Sequence, residues 1–493
     1  MQRQLPAVAA MARRIRFNAF QMNAASHQAP GLWRHPRDAS HRYTQAGHWV
    51  ELAQLLERGC FDGVLFADVL GVNDVFGDSP EAALRHGVQV PVNDPLALVP
   101  LMAQATRHLG FGLTSAVAYE HPYLFARRLS TLDHLTQGRV AWNITARCFD
   151  SADRNLGQAH PPAPQERHAL AEEYLEVAYK LWEASWEEDA VRRDPAGGVY
   201  TDPAKVHPIG HRGRYFDVPG IHLCEPSPQR TPVLQMQAGA SASALQMAAS
   251  HAEVVYLSGP SIAVVRRQVQ QLERALAAAG RAREDLLIYA QALVITAPTS
   301  AEAQEKHMEL LRYVDVEGAL ALLSGWTGID FSRHARHEPI DAVAAEAGRT
   351  ALAAFGQTPA GRRWTVGEAA RFIGLGGRGP VIVGSPAQVA DQLEQWADTS
   401  GVDGFNLSYA LAHETLRDVV ELVVPELQQR GRYAASYAAG TLREQLFGRG
   451  PRLPASHPAR RLRFAPAPRA AREDTAEETQ ALSAPGSSVQ LPP

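Results

Sequence analysis

The chain has 493 residues, 45% hydrophobic and 20% charged, with a formal net charge of −4. That is ordinary globular composition, long enough for one large core or two domains, and its charge balance excludes a nucleic-acid footprint. No apolar run is long enough to span a bilayer, and three widely spaced cysteines without a C-x-x-C pattern fit a reduced, cytoplasmic protein. The first 14 residues are basic and Ala-rich but lack the apolar core of a signal peptide, so they read as a loose N-terminal arm. IRFNAF (15–20) is a strand candidate, and YTQAGHWVELAQLLERG reads as a helix closed by Gly59. GVLFAD (63–68) is a buried-type strand ending in Asp68. PLALVPLMAQATRH is helical, LGFGLTSAV a strand, and HPYLFARRLSTLDHL a helix before Gly138.

RVAWNIT follows as the fourth strand, and it raises a question. Asn143 sits inside it, although Asn is depleted in strands and a buried amide without partners is costly. ERHALAEEYLEVAYKLWEAS is a helix. A long loop, about 187–230, leads to the strand TPVLQMQAG and the helix SASALQMAASH. The alternation continues with AEVVYLS, SIAVVRRQVQQLERALAAAG, LLIYAQALVIT and a further helix. Residues of about 315–385 break the rhythm and read as an insertion that closes over the rest. PAQVADQLEQWAD, VDGFNLSY and TLRDVVELVVPELQQRG complete the pattern. Eight strands, each followed by helical material, predict a (β/α)₈ TIM barrel with insertions over 15–450. The rival architecture is an open doubly wound sheet with two domains. From 451 to 493 the chain is rich in Pro, Ala and Arg, which predicts a tail disordered beyond its first residues.

In such a barrel the functional groups lie at the C-terminal ends of the strands. Asp68, Thr114, Asn143 and Ser241 stand there on successive strands. Each alone has an ordinary explanation, such as a helix cap for Asp68 or Ser241. Together they would converge on one mouth. A Gly-Ala-Ser turn opening a helix is also a phosphate cradle, because it offers free N–H groups and the positive end of the helix dipole. This set suits a flavin mononucleotide. GLGGRG (374–379) fits G-x-G-x-x-G but is followed by Pro380 and an apolar run, so it reads as a mobile loop. His207, His211, His222 and Cys224 lack a recognised ligand spacing and read as solvated loop residues, not a metal site.

Further stretches carry a family likeness: FNAFQMNAASHQAPGLWRHP, LAQLLERGCFDGVLFAD, YEHPYLFARRLSTLDHLTQGRVAWNIT, EEYLEVAYKLWEASWEEDA, QAGAS, GSPAQVADQLEQW, DGFNL and TLREQLFG. From residue 15 to about 450, in colinear order, the chain resembles the bacterial luciferase-like flavin monooxygenases, in the branch of nitrilotriacetate and dibenzothiophene-sulfone monooxygenases. The resemblance implies a luciferase-like barrel and a two-component enzyme. Such enzymes take reduced FMN as a co-substrate from a separate NAD(P)H-dependent flavin reductase. With dioxygen they form a flavin hydroperoxide that oxidises a small organic substrate. It also implies a homo-oligomer, dimer or tetramer. By position it places Asp68, Thr114, Asn143 and Ser241 at the flavin, with Asn143 facing the ring and Ala240 beside the phosphate with Ser241. His27, in the first loop, is the candidate catalytic group near the reacting oxygen, with Trp33 and Arg34 nearby.

The chain departs from the family pattern at several of these places. PQERH replaces His-x-x-Arg-Tyr, putting Pro164 and His168 at the His and Tyr positions. NITAR replaces NIVTS, putting Ala146 and Arg147 there. Ala116, Val117 and Ala244 replace Ser, Thr and Gly. The flavin site therefore reads as remodelled, with Arg147 and His168 as alternative anion contacts and a bulkier or less polar substrate implied. Two rival functions follow: a deazaflavin-dependent oxidoreductase on the related barrel, and a non-catalytic flavin- or partner-binding relative.

Overall fold

The computed structural model describes residues 13–145, 149–157, 164–238, 241–343, 352, 363–462 and 464. The first four strands are β1 (Arg16–Met22), β2 (Gly63–Ala67), β3 (Gly110–Ala116) and β4 (Val140–Thr145). The loop after them folds into two short hairpins, β5 (Val191–Asp194) with β6 (Val199–Thr201) and β7 (His211–Arg212) with β8 (Asp217–Val218). Then follow β9 (Val233–Gln237), β10 (Val254–Leu257), β11 (Leu287–Thr296), β12 (Val381–Gly384) and β13 (Gly404–Ser408).

Eight of these close into a parallel barrel, in the order β1, β2, β3, β4, β9, β10, β11, β13, with β13 pairing back on β1. The eight-unit reading of the sequence holds, and the doubly wound sheet does not. β12 branches from the late half of β11, with Val381 opposite Leu293.

Period-two alternation sorts each strand into an outer and an inner face. Phe17, Phe66, Phe111, Trp142, Ile144, Ile288 and Phe405 pack outward under the helices in the main core. Leu65, Ala141, Val233, Tyr256 and Tyr289 point inward. Because Trp142 and Ile144 face out, Asn143 between them faces into the barrel.

The floor of the barrel is stoppered by the helix Leu442–Phe447, whose Leu442 and Leu446 join the inner cluster. Gly110 leaves the room: a Cβ there would lie 2.6 Å from the Leu442 side chain. Arg443 on the same helix is fully buried and donates to Glu253 at 2.6 and 2.9 Å. Glu253 in turn accepts from the Leu234 N–H at 3.0 Å.

Between β11 and β12 lie the helices Val316–Thr327 and Val366–Gly376, which form a second core with the helix Glu81–His86 through Ala83, Leu320 and Ile373. GLGGRG is the end of the second helix and its turn. Gly377 has φ +62°, and a Cβ on it would strike the Gln28 side chain. Gln291, inside β11, donates to Gln28 and to the Gly376 carbonyl. The segment is thus a packed turn, not the mobile loop expected from its glycines. At the other end of the chain, Leu453 and His457 are buried against the barrel, and the tail beyond 464 lies outside the described residues.

Candidate active site

The strand register sets Thr114 of β3 opposite Asn143 of β4, and Asn143 opposite Gln235 of β9. Asn143 Nδ2 donates to Thr114 Oγ1 at 2.9 Å, and Thr114 Oγ1 donates to the Phe66 carbonyl of β2 at 2.6 Å. Asn143 is 9% exposed, and its Oδ1 is buried with no hydrogen-bond partner. Such an unmet acceptor costs roughly 1–3 kcal/mol, which a ligand donor would recover.

Asp68 directly follows β2, and its carboxylate accepts from the Val69 N–H at 2.9 Å. Burial, and then the charge of Asp94, push its pKa up to about 7. Asp94 itself is held, its side chain capping the turn Pro95–Leu98 and its carbonyl accepting from Asn23 Nδ2 at 3.2 Å.

Ser241 caps the helix Ala242–His251 and accepts from the Ala244 N–H at 3.2 Å. The side chain is exposed, so the cap and an anion can share this helix start. His168 is half-buried on the helix Pro164–Glu183. Four residues on, Glu172 bonds His251 at 3.1 Å. By helical spacing, His168 lies on the same face one turn nearer the start of its helix, toward the end where Ser241 caps the neighbouring one. Arg147 and Ala240 lie outside the described residues.

His27 follows β1 and is 3% exposed, edge-on to Phe20 at 4.4 Å between ring centroids. Burial holds its pKa down to about 3, opposed only by a contact with the Phe20 backbone. It is therefore a neutral imidazole over the working pH range. Its Nδ1 and the nearby Ser26 hydroxyl are buried without partners. Both line a small cavity with Leu32, Trp33, Tyr409 and Ala410, with room for about one water. The one carboxylate lining it, Asp38, is engaged by the Ser40 N–H and hydroxyl and by the Ala412 N–H.

The structure thus joins Thr114 to Asn143 directly. It sets Asp68 just past β2, Ser241 in the turn after β9 and His27 in the loop after β1, all on the same rim of the barrel. Sequence reasoning passed over Gln235, whose Oε1 is also buried and unpartnered and points at Gly112. Its signal was the same as for Asn143, a polar side chain alternating inward in the strand QMQ.

The loop histidines are not solvated as expected. His207 bonds Glu187 at 2.9 Å, His222 meets Ser130 at 3.0 Å, and His211 lies between Lys180 and Glu173. All three are buried; His211 and His222 tie the loop to the helix layer, and His207 is held within the loop. Among the described residues no three His, Cys, Asp or Glu side chains gather as a metal cluster.

A barrel with polar groups at successive strand ends is compatible with many chemistries. Residues 30–404 match the family model described as luciferase-like monooxygenase. The chain belongs to the luciferase-like monooxygenase family. It is 47% identical over 471 residues to the dimethyl-sulfide monooxygenase of Hyphomicrobium sulfonivorans, covering 95% of this chain and 97% of the relative. The crystal structure of DmoA from Hyphomicrobium sulfonivorans matches with a TM-score of 0.86 at 48% identity, over 91% of this chain and 95% of that one. The long-chain alkane monooxygenase of Geobacillus thermodenitrificans is 46% identical over 456 residues, 92% of this chain and 99% of its own. Nitrilotriacetate monooxygenase component A of Aminobacter aminovorans is 31% identical over 422 residues, 84% and 93% of the two chains. This luciferase-like protein is an enzyme, a flavin-dependent monooxygenase. Among the described residues no helix is long and apolar enough to cross a membrane.

Proposed function

We propose that this chain is the oxygenase component of a two-component system that takes reduced FMN from a separate NAD(P)H-dependent flavin reductase and uses dioxygen to oxidise a small, uncharged organic molecule. The observation that carries the cofactor assignment is the buried, unpartnered Oδ1 of Asn143 at the mouth of the barrel. When bound, the reduced flavin supplies the electrons that activate dioxygen.

The chain's own residues bind, orient and exclude water. Asp68, Thr114 and Asn143 hold the ring across β2, β3 and β4. The Ser241 cap and the start of its helix hold the phosphate, with Ala240, Arg147 and His168 as further contacts. His27 lies where substrate meets the ring. With its pKa near 3 it serves as a neutral hydrogen-bond acceptor, not as a proton donor. The one carboxylate lining the small cavity beside His27 is already engaged, which suits an uncharged substrate. Two relatives named for dimethyl sulfide and a long-chain alkane agree with that class.

The name "component A" of a third relative supports a separate reductase. Leu124 and Leu135, exposed three turns apart on the helix Pro122–Leu135, with exposed Leu101 on a neighbouring helix, suit a second copy of the chain in a dimer or tetramer. Free Cys60 and Cys224 suit the reducing cytoplasm.

The test is anaerobic titration with reduced FMN, followed by mixing with air-saturated buffer in a stopped-flow spectrometer. Saturable binding and reoxidation slower than that of free reduced FMN are expected. No binding, or reoxidation at the free-flavin rate, rejects the reading.

A further inference from the structure

The inner face of the barrel is uneven below the mouth. Asn18 of β1 stands in register with Gly63 of β2, and Gly63 with Gly110 of β3, two residues before Gly112. Those three glycines bring no side chain, while Gln235 of β9, Tyr256 of β10 and Tyr289 of β11 reach in from the other side. Between them lies a small hollow with room for about one water, floored by Leu442 and Leu446.

Polar groups with unspent hydrogen-bonding capacity converge on this hollow. Asn18 gives its Nδ2 to Asn406 Oδ1 at 2.7 Å and to the Ala19 carbonyl at 3.1 Å. Its Oδ1 is thereby turned toward Gly63, where a Cβ would lie 3.3 Å from it. Gln235 crosses over β4 to reach Gly112, and its Oε1 is buried there without a partner. The Tyr256 hydroxyl, kept neutral by burial and then by the charge of Asp62, donates to no protein group among the described residues. Asp62 is answered by Arg16 Nη1 and by the Tyr289 hydroxyl, each at 2.7 Å, so no unbalanced charge calls for an ion.

We propose that one water molecule is an integral member of the barrel interior, accepting from the Tyr256 hydroxyl and donating to Gln235 Oε1 and Asn18 Oδ1. A neutral group that both donates and accepts is the chemistry these three side chains require, and a buried water makes about three such bonds. It ties β1, β9 and β10 together across a place where the glycines supply no side chain. The site belongs to the floor of the barrel and is independent of the flavin reading.

The experiment is a crystal structure of the full chain, paired with oxygen-17 relaxation dispersion in solution, which counts internal waters that exchange slowly with bulk. A density peak within hydrogen-bond distance of Tyr256, Gln235 and Asn18 is expected. Tyr256→Phe combined with Gln235→Met nearly keeps the volumes, removes two of the partners, and should lower the count of slow waters by one. Melting temperatures check that the variants fold and give a second reading. Tyr256→Phe should lower the melting temperature of wild type, and lower it less in the Gln235→Met background, because the shared water is already lost there. Additive losses or an unchanged water count overturn the inference, as does a crystal structure in which Gln235 bonds Tyr256 or Asn18 directly. If the double variant does not fold, the wild-type density decides: the absence of a peak between the three side chains overturns the inference.

Discussion

Asp68 has a carboxyl whose environment opposes ionisation, through burial first and the charge of Asp94 second. Its pKa near 7 lies above the unfolded value near 4, so between those limits the folded chain holds a proton that the unfolded chain gives up. Stability therefore declines as pH rises from about 4 to about 7, by at most about 1.4 kcal/mol per pH unit for this one group. Asp68→Asn should remove that component. Melting temperatures of the cofactor-free protein at pH 5 and pH 8 measure it. Asp68→Asn should gain stability relative to wild type at pH 8 and little at pH 5. An equal change at both pH values would mean that Asp68 is already ionised in the folded protein.

At the scale of elements, the helices Pro164–Glu183 and Ala242–His251 lie side by side and begin at the mouth. Ser241 serves its own helix by accepting from the Ala244 N–H. Ser241→Ala should therefore cost about 1 kcal/mol of stability as a lost cap. If the same helix start also holds the phosphate, the substitution weakens reduced FMN but leaves reduced riboflavin, which has no phosphate, unaffected. Parallel titrations with the two flavins separate the roles. Equal effects on both would reduce Ser241 to a cap. The stoppering helix Leu442–Phe447 is a contrasting element. It closes the far end of the barrel through Leu442, Leu446 and the buried Arg443–Glu253 pair, so ligands have access from the mouth only.

Over the whole molecule, burial keeps several histidines neutral. His27, His48 and His457 are held down to about 3 and His222 to about 4, in each case chiefly by desolvation. They belong to different elements: the first loop, the helix Ala46–Arg58, the tail and the outer hairpin region. Since their folded pKa values lie below the unfolded value near 6.5, the unfolded chain takes up protons that the folded chain refuses. Stability contributed by their burial is complete above pH 6.5 and is lost as pH falls from there toward 3. The protein should thus unfold cooperatively in mild acid, with a midpoint well above the carboxylate range. Circular dichroism against pH tests this. Retention of the fold down to pH 4 would show that these histidines are hydrated and charged in solution.

The order and kind of the elements were legible in the amino-acid sequence, because hydrophobic period depends only on neighbours along the chain. Eight buried-type strands alternating with amphipathic helices already dictated a parallel sheet under helices. The strand ends named Asp68, Thr114, Asn143 and Ser241, and polar residues inside strands marked the mouth. What the sequence could not say was where distant segments meet. GLGGRG looked like a free loop because the Gln28 and Gln291 that pack it lie far away in the chain. His211 and His222 looked solvated because their partners, Glu173 and Ser130, belong to helices elsewhere in the chain. The helix Leu442–Phe447 gave no local sign that it would stopper a barrel built by strands 180 residues and more before it, apart from β11 and β13. Closure of the barrel brought the Phe66 carbonyl, the Thr114 hydroxyl and the Asn143 amide into one line of hydrogen bonds. That contact, which no local propensity encodes, decides which end of the Asn143 amide turns toward Thr114.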